Sequence, residues 1–534
     1  MGIDWGLFCA GQNIKRDFPD TMNYEPSTMN FFLSCHSQIV AMEYVLGVDV
    51  GTGSVKAVAV NLQCRSFDDQ QVYYPFSSPR PGYHEQDPEQ ILTAFIAVTK
   101  GIIEKIGSPP LAISLSSAMH SLIPVDEHCQ PLAPMITWAD SRSAEIAKRL
   151  RGTPQGMAIY KATGTPLHAM SPLCKIIWIR ENDPELFNST YKFISIKEYI
   201  WHKLFNEFTL DQSNASCTGL FDIEQLKWHP DALELAGITN KSLSNVVATD
   251  HVKKYDVLEL DFLTPGTPFI IGASDGCLAN LGSMADKPGV AAITIGTSGA
   301  VRVASSKPLP NESSMTFSYI LNKETYICGG PVNNGGIALQ WWLKNIKPKP
   351  ADGDYEQLFR QIATVPAGSN GLLFLPYLTG ERAPIWDSES CGTFFGVKLQ
   401  HTQAHFSRAV LEGICYALRD VLDAVQQNSV PITQINVSGG IVRSDLWVQT
   451  LADITGKKLV IVQSDDASAI GAAFMALKSI GAINEYPTSN FEGLKTFKPD
   501  QANVAVYADR FVIYKWLYED LKETMHKVYE MNGK

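Results

Sequence analysis

The chain has 534 residues, with 44 lysines and arginines against 55 aspartates and glutamates, which gives a formal net charge of −11. At roughly 150 residues per domain, that length accommodates two to four domains. Hydrophobic residues make up 45% and charged residues 19%, and this balance excludes a disordered chain. The acidic excess excludes a protein whose main task is to bind nucleic acid or an anionic membrane, although a local pocket can still hold a small anion.

Hydropathy and cysteine spacing indicate where the protein is found. The sequence contains no continuous run of about 18 apolar residues, so it predicts no membrane-spanning helix. Its ten cysteines are scattered singly and form no CxxC pair. Such a distribution is typical of reduced thiols and argues against a disulfide framework or a zinc site. We therefore expect a cytoplasmic protein.

Residues 1–41 differ from the rest of the chain, because their apolar residues follow neither the period of a strand nor that of a helix. Asp4, Lys15 and Asp17 interrupt any pattern of a secretory signal. We expect this segment to be a disordered extension or an artefact of the assigned start site, with a partner-binding tail as the alternative. We assign it no chemistry.

Short apolar runs alternate with longer helical patterns from Tyr44 onward, as is typical of α/β domains. Two of these runs lead through a Gly-rich turn straight into a second strand, over residues 48–60 and 293–301. Each pattern predicts a β-hairpin, in which glycine supplies the positive φ of the turn and lets a ligand approach the backbone. One hairpin in each half of the chain favours duplicated domains that face a shared cleft over two unrelated hairpins.

The two hairpins differ at one position that matters for chemistry, where Asp49 in the first corresponds to Thr294 in the second. A carboxylate here suits hydrated Mg²⁺, which accepts one or two carboxylates alongside phosphate oxygens. Backbone N–H groups and hydroxyls of both turns suit phosphate groups. The two copies are therefore expected to perform different tasks.

A third Gly-rich turn, residues 272–276, follows the predicted strand 268–271 and contains Asp275. A carboxylate at a strand end among small residues is well placed to accept a proton from a substrate. An aspartate in this position is equally suited to cap the helix that follows. The spacing alone leaves both roles open.

A fourth turn contains Gly439 and Gly440, between the predicted strand 434–437 and the predicted helix 446–455, which Gly456 ends. Bare backbone between a strand and a helix suits a nucleotide phosphate or adenosine, but a single turn of this kind is weak support. The chain contains no GxxxxGK[ST] motif, which excludes P-loop chemistry, and no HExxH motif.

A polar and aromatic cluster lies between the first hairpin and the third turn. It contains Ser117, Met119, His120, Trp138, Asp140 and Arg142. Tryptophan offers an apolar plate to the C–H face of a sugar, while histidine, aspartate and arginine can bind hydroxyls or a carboxylate. The alternatives are that the histidine is a satisfied structural residue and that the Asp–Arg pair is a surface ion pair.

Two helical patterns are predicted to be structural. Apolar residues recur at helical spacing over residues 411–425, which indicates a core helix. Residues 467–476 are rich in alanine, serine and glycine, which predicts a helix pressed closely on a sheet or on a neighbouring helix.

Three separated stretches of this sequence together resemble the FGGY family of carbohydrate kinases. They are the hairpin GVDVGTGS at residues 47–54, the run MSPLCKIIWIREN at residues 170–182, and the spaced motif from Gly392 to Glu412. The resemblance covers the chain from about Tyr44 to its end. It implies an α/β, two-domain actin/hexokinase-like (ribonuclease H-like) fold with the active site in the interdomain cleft. The implied domains are 42–288, with the sugar site, and 289–534, with the nucleotide site.

The resemblance also implies a role for each singled-out residue, with ATP and Mg²⁺ as cofactors. Asp275 matches the catalytic base, and Asp49 would hold Mg²⁺. The phosphates and adenosine would be bound by Thr52, Gly53, Ser54, Gly296, Thr297, Gly439 and Gly440. The sugar site would be shaped by Ser117, Met119, His120, Trp138, Asp140, Arg142 and Asp275. Arg142 is the expected partner of a substrate carboxylate, because a guanidinium fork matches a carboxylate.

Residues 116–121 and 137–143 are most similar to the family members that phosphorylate D-gluconate, which implies conversion of D-gluconate to 6-phospho-D-gluconate. Xylulose kinases also carry the Met-His pair, so a pentulose or polyol kinase is the alternative, whereas glycerol kinases usually place Arg-Glu there. A non-catalytic, actin-like ATP-binding sensor is a third reading. The expected partner is a small-molecule substrate, without nucleic acid or membrane, and the sequence leaves a homodimer open.

Overall fold

The computed structural model describes residues 42–256, 260–346, 355–462, 466–487 and 494–531. The expectation for residues 1–41 therefore lies outside the described residues. Within the described ranges, no helix combines the length and apolar character needed to cross a bilayer.

The described part of the chain alternates strands with helices. The strands are β1 Tyr44–Val50, β2 Ser54–Asn61, β3 Ser66–Tyr73, β4 Glu85–Gln86, β5 Ile113–Ser117, β6 Ile123–Val125, β7 Met135–Ile136, β8 Lys192–Ile194, β9 Thr209–Asp211, β10 Phe221–Asp222, β11 Lys227–Trp228, β12 Asn245–Val247, β13 Val252–Tyr255, β14 Thr267–Ser274, β15 Val290–Ile295, β16 Gly299–Ser305, β17 Phe317–Asn322, β18 Thr325–Val332, β19 Leu373–Leu375, β20 Thr393–Phe395, β21 Gln434–Gly439, β22 Lys458–Ile461 and β23 Thr496–Phe497. The helices are α1 Pro88–Ile106, α2 Ala144–Arg151, α3 Pro154–Thr163, α4 Pro172–Asn182, α5 Pro184–Ser189, α6 Ile196–Phe205, α7 Gln212–Ser216, α8 Pro230–Ala236, α9 Asp275–Gly282, α10 Gly336–Trp341, α11 Tyr355–Ala363, α12 Gln403–Gln426, α13 Asp445–Thr455, α14 Ala467–Ser479 and α15 Gln501–Met531.

Two large sheets share one arrangement of five strands. The first sheet has the order β13-β14-β5-β1-β2-β3 and the second β17-β18-β16-β15-β21-β22-β23. In each sheet the predicted hairpin, β1–β2 or β15–β16, is antiparallel, and its first strand also pairs in parallel with a later strand, β5 or β21. The central order therefore repeats as β3-β2-β1-β5-β14 and β18-β16-β15-β21-β22. This repeat confirms the duplicated, two-domain actin/hexokinase-like fold.

The predicted elements occur close to their predicted positions. The strand at residues 44–50 is β1, and the helix predicted from residue 446 begins one residue earlier as α13. Gly456 ends that helix in the left-handed conformation, at φ 64°. The apolar stripe at 411–425 is buried within the 24-residue helix α12, as its spacing indicates.

Helix α14 is pressed closely on β1 and α9, as its small residues predict. A Cβ atom added at Gly47 would lie 1.8 Å from the carbonyl oxygen of Ala469, and one at Gly471 would lie 2.1 Å from that of Leu278. At the end of α9, a Cβ at Gly282 would lie 2.0 Å from the oxygen of Ala467. These contacts join main chain to main chain, so only glycine fits. Although α14 follows residue 289 in sequence, it packs on the first sheet.

We expect Gly471→Ala to lower the free energy of unfolding by about 1–3 kcal/mol, because the added methyl group overpacks a contact between two backbones that cannot rearrange like side chains. Gly152→Ala is the control, since Gly152 has an ordinary φ of −81° and its nearest neighbour would lie 3.7 Å from the new Cβ. Urea unfolding should separate the two variants. Equal midpoints would contradict this account of the α9–α14 contact.

Candidate active site

A cavity of about 320 Å³ lies between the two halves of the described chain, within the size range of small-molecule sites. The first half contributes Thr52, Met119, His120, Trp138, Met170 and Asp275 to its wall. The second half contributes Thr294, Gly296, Ser298, Gly299, Ala300, Arg302, Phe317, Tyr319, Pro331 and Arg382. Residues from both hairpins and from the third turn thus meet in one space.

Asp275 lies at the first residue of α9, directly after β14, and Ser274 takes the N-cap position. Its Oδ1 accepts a hydrogen bond of 2.7 Å from the N–H of Gly276, and the carboxyl group lines the cavity. Burial raises the pKa of Asp275, while the guanidinium of Arg302 and the N–H of Gly276 oppose that rise. The start of a helix also favours a negative charge. A cavity-facing carboxylate in this position can accept a proton.

Asp49 lies at the end of β1, where its Oδ1 accepts a hydrogen bond of 2.6 Å from the hydroxyl of Ser116. Burial and the neighbouring charge of Asp275 raise its pKa to about 7. A carboxyl group whose ionisation is opposed by burial and by a like charge is stabilised in its charged form by a nearby cation.

The Asp49 carboxylate fits the ligand requirements of Mg²⁺ at a site that also holds phosphate. Mg²⁺ is bound by one or two carboxylates together with phosphate oxygens and water. Among the described residues, no group of three or more His, Cys, Asp or Glu side chains forms an all-protein metal site. The residues present therefore suit a metal ion that arrives with a phosphate ligand.

Lys197 lies close enough to both carboxylates for its charge to act on them, and it was not anticipated from the sequence. Its buried Nζ donates 2.8 Å to the carbonyl of Ala273 and forms an ion pair of 3.0 Å with Asp211. Its charge lowers the pKa values of both Asp49 and Asp275. The local sequence carries little signal for it, because α6 also contains Glu198, His202 and Lys203.

The first hairpin reaches the cavity through Thr52. Its Oγ1 accepts a hydrogen bond of 2.8 Å from Nε1 of Trp138, and its carbonyl accepts one of 2.6 Å from the side-chain amide of Gln86. Gly53 and Ser54 are not among the described lining residues, and the Ser54 hydroxyl accepts from the amide of Gln71. Thr52 thus connects the hairpin turn to the predicted sugar residue Trp138.

The second hairpin ends beside the fourth turn. Gly439 is the Cα partner of Ile295 in the parallel pair β15–β21, so Gly296 and Thr297 lie next to Gly439 and Gly440. Gly439 has φ 85°, and a Cβ there would lie 2.4 Å from the oxygen of Ile295. Adjacent glycine turns at the carboxyl ends of parallel strands leave backbone accessible to a nucleotide, and the residues present fit ATP.

His120 is a neutral acceptor at the cavity wall. Burial and the nearby charge of Lys175 lower its pKa to about 3. Its Nδ1 lies 2.7 Å from the carbonyl of Cys217 and therefore carries the proton, which leaves Nε2 as an acceptor 3.4 Å from the hydroxyl of Tyr319. Its φ of 65° places a non-glycine residue in the left-handed region, a conformation that is often found at functional sites.

Ser117 and the pair Asp140–Arg142 do not line the described cavity. Arg142 donates from Nε and Nη2 to Asp140, over 2.9 and 2.7 Å, and also from Nη2 to Glu85. Its guanidinium lies 3.7 Å from the centre of the Tyr83 ring. The side chains of Arg142 and Asp140 are 7% and 0% exposed, so the surface-pair alternative is wrong. The pair holds the loop that carries Trp138, and the expected carboxylate contact of Arg142 is not supported.

Two other arginines line the cavity, and sequence reasoning missed both. Arg382 donates from Nε to Oδ1 of Asn333 over 2.7 Å, lies 5.2 Å from the ring centre of Trp138, and has a pKa that burial lowers to about 10. Arg302 lies in the middle of β16. The only sequence signal for Arg302 is a charged residue inside an otherwise apolar strand.

Comparison with known proteins agrees with this architecture. The family model for the N-terminal domain of the FGGY family of carbohydrate kinases matches residues 44–282, and the model for its C-terminal domain matches residues 291–480. The chain therefore belongs to the FGGY family of carbohydrate kinases, which confirms the resemblance and makes the protein a phosphotransferase.

Individual members of the family are similar to this chain over most of its length. A gluconokinase of Bacillus subtilis is 41% identical over 455 residues, which cover 83% of this chain and 89% of that protein. A xylulose kinase of Lactococcus lactis is 31% identical over 508 residues, which cover 92% and 99%. The solved structure of a gluconate kinase from Lactobacillus acidophilus matches with a TM-score of 0.86 at 31% identity, over 91% of this chain and 100% of that chain.

Lys175 holds two of the predicted sugar-site segments together. Its buried Nζ donates to the carbonyl of His120, to that of Thr137 over 2.8 Å and to that of Ile136 over 3.4 Å. Burial lowers the pKa of Lys175 to about 7. The side chain thereby fixes the positions of His120 and, through Thr137, of Trp138.

We expect Lys175→Met to lower kcat/KM for the sugar by about 100-fold, because small displacements of positioning residues carry costs of that size. The KM for ATP should change by less than about threefold, since the hydrogen bonds of Lys175 go to the sugar-site segments. Lys148→Met, which removes an exposed lysine paired with Glu389, is the control. Steady-state kinetics with each substrate varied in turn test this prediction. Equal losses for sugar and ATP would contradict the positioning role.

Proposed function

We propose that the protein transfers the γ-phosphoryl group of Mg²⁺-ATP to the terminal hydroxyl of D-gluconate and so forms 6-phospho-D-gluconate. The observation that carries the proposal is the shared cavity, in which the Asp275 carboxylate faces the turn residues Thr52 and Gly296 of the two hairpins. Gluconate as the acceptor is supported by the 41% identity to a gluconokinase.

In the proposed reaction, Asp275 accepts the proton of the O6 hydroxyl while O6 attacks the γ-phosphorus. The new O6–P bond forms as the bond from phosphorus to the β–γ bridging oxygen breaks, and ADP leaves. The carboxylate receives this one proton and later returns it to solvent. Its rate contribution as a base is about 10²–10⁴-fold.

The other residues bind and orient. Thr52, Gly53 and Ser54 would contact the γ-phosphate, Gly296 and Thr297 the β-phosphate, and Gly439 and Gly440 the adenosine and α-phosphate. Met119, His120 and Trp138 would form the sugar site, supported by Ser117 and by the Asp140–Arg142 pair. Bound Mg²⁺ would neutralise charge on the phosphate oxygens, with Asp49 as its protein ligand directly or through water.

A xylulose kinase is the second candidate, because a xylulose kinase of Lactococcus lactis is 31% identical over 92% of this chain. The cavity wall argues for an acid over a neutral sugar, since Arg302 and Arg382 both reach it and Asp275 is the one acidic residue among its described lining.

A substrate panel tests the proposal. Purified protein is incubated with Mg²⁺-ATP and gluconate, xylulose, ribulose or glycerol, and ADP release and the position of phosphorylation are measured by a coupled assay and ³¹P NMR. We expect the highest kcat/KM with gluconate and a single 6-phosphorylated product. Preference for xylulose would establish the second candidate, and ATP binding without any transfer would favour the sensor reading.

A further inference from the structure

Arg302 occupies an unusual position for a charged residue. It lies in the middle of β16, whose other residues are mostly apolar and buried, and its side chain lines the cavity. A Cβ added at Gly276 would lie 3.3 Å from Nε of Arg302 and 2.8 Å from the terminal methyl of Met119. The guanidinium therefore lies over the first turn of α9, beside Asp275 and a predicted sugar-site residue.

The guanidinium of Arg302 lacks the partners that the neighbouring arginine has. Over the described ranges it forms no hydrogen bond and no ion pair within 4.0 Å, whereas Arg382 is held by Asn333 and by the carbonyl of Val332. Burial lowers the pKa of Arg302. A guanidinium that is half-buried in a cavity wall is costly unless an anion or hydrogen-bond acceptors satisfy it, so this one is suited to a ligand that brings negative charge.

Arg302 lies along β16 away from the hairpin turn, and so on the acceptor side of the cavity and not on its phosphate side. Arg302 follows Gly299, the first residue of β16, by three positions, which corresponds to about 10 Å along an extended strand from the hairpin turn. Phe317 and Tyr319 line the same cavity. Thr52 and Gly296, by contrast, belong to the turns.

We propose that Arg302 binds the carboxylate of the acceptor and selects an aldonate over a neutral sugar or polyol. This inference rests on the proposed function, because it assigns the negatively charged end of gluconate to a specific residue. Guanidinium–carboxylate contacts are short, charge-assisted and directional, which suits them to this selection. Arg302 takes the role that sequence reasoning gave to Arg142.

The test compares two acceptors of the same shape, D-gluconate and the uncharged D-gluconamide, in the wild type, Arg302→Met and Arg302→Lys. We expect Arg302→Met to lower kcat/KM for gluconate by about 100-fold, mainly through KM, and to change that for gluconamide by less than about threefold. Arg302→Lys should restore part of the preference for gluconate. The KM for ATP should stay within about threefold.

Arg142→Met serves as the comparator, because a residue that orients the Trp138 loop should reduce both acceptors alike. Equal losses for both acceptors in Arg302→Met would overturn the proposal and assign Arg302 to Asp275 or to the phosphoryl group instead. Unchanged kinetics would also overturn it. The wild-type protein tests the proposed function separately from the role of Arg302. If the wild type does not phosphorylate gluconate, the proposed function itself is refuted.

Discussion

Asp275→Asn is expected to lower kcat by about 10²–10⁴-fold, because the amide cannot accept the proton of the attacking hydroxyl. Asparagine keeps the size of the side chain and can still accept the hydrogen bond that the Gly276 N–H donates to Oδ1. Binding of acceptor and nucleotide should therefore change by only a few-fold. Rapid-quench kinetics at saturating substrates, together with calorimetric titration of ADP, separate the loss of chemistry from a loss of binding.

Asp286→Asn is the matched control for this experiment. Asp286 is also a partly buried aspartate whose pKa burial raises, but it lines a different cavity with Lys478 and Tyr486. We expect near-normal turnover from this variant. Turnover of Asp275→Asn close to that of the wild type, with an intact fold, would refute the assignment of Asp275 as the base.

Asp49→Asn is expected to have two opposite effects. Loss of the carboxylate should lower kcat by about 10²–10³-fold, because a transition state rich in negative charge loses the group that holds its cation. The same change should stabilise the fold at pH 8 by up to about 4 kcal/mol, since the pKa of Asp49 rises from 3.8 to about 7 and one unit of pKa shift corresponds to about 1.4 kcal/mol. A carboxylate that stays ionised for function, in spite of burial and a neighbouring like charge, lowers the stability of the fold.

The pH dependence of that stabilisation has a definite sign. The pKa of Asp49 is raised from 3.8 to about 7 in the folded protein, so between these values the folded state binds a proton that the unfolded state has released. Raising the pH through this window therefore costs the wild type stability, and the full cost is present above pH 7. Asparagine does not ionise, so the gain should be large at pH 8 and absent near pH 4.

Urea unfolding of both proteins without nucleotide or Mg²⁺ at the two pH values measures this difference. Asp261→Asn, which removes an exposed carboxylate of the same half of the chain, should show no such difference. An Asp49→Asn variant that is less stable than the wild type at pH 8 would contradict the electrostatic account.

The sequence was sufficient for those parts of the site that are encoded locally. A Gly-rich turn between two strands identifies the hairpin at residues 51–53 from spacing alone, and the repeat at 296–298 identifies its counterpart. Asp275 was also found locally, although spacing could not separate a base from a helix cap. In the structure Ser274 occupies the N-cap position without a side-chain cap hydrogen bond, while Asp275 begins the helix and accepts from the N–H of Gly276.

Residues that depend on long-range register could not be found in this way. Arg302 reaches the cavity because β16 pairs in a particular register with β18 as well as with its hairpin partner β15, and nothing adjacent in sequence indicates the pairing with β18. Arg142 was attractive because it stands close to Trp138 in sequence. Its partner Glu85, 57 residues earlier, becomes a neighbour only through folding.

The main-chain contact between α9 and α14 links the two halves of the sequence at the proposed base. Gly282 and Gly471 bring the two helices together without intervening side chains. The hydroxyl of Ser468 in α14 donates 3.1 Å to the carbonyl of Asp275. Because Asp275 begins α9 and α14 follows residue 289, a helix from the later half of the sequence supports the backbone of the proposed base.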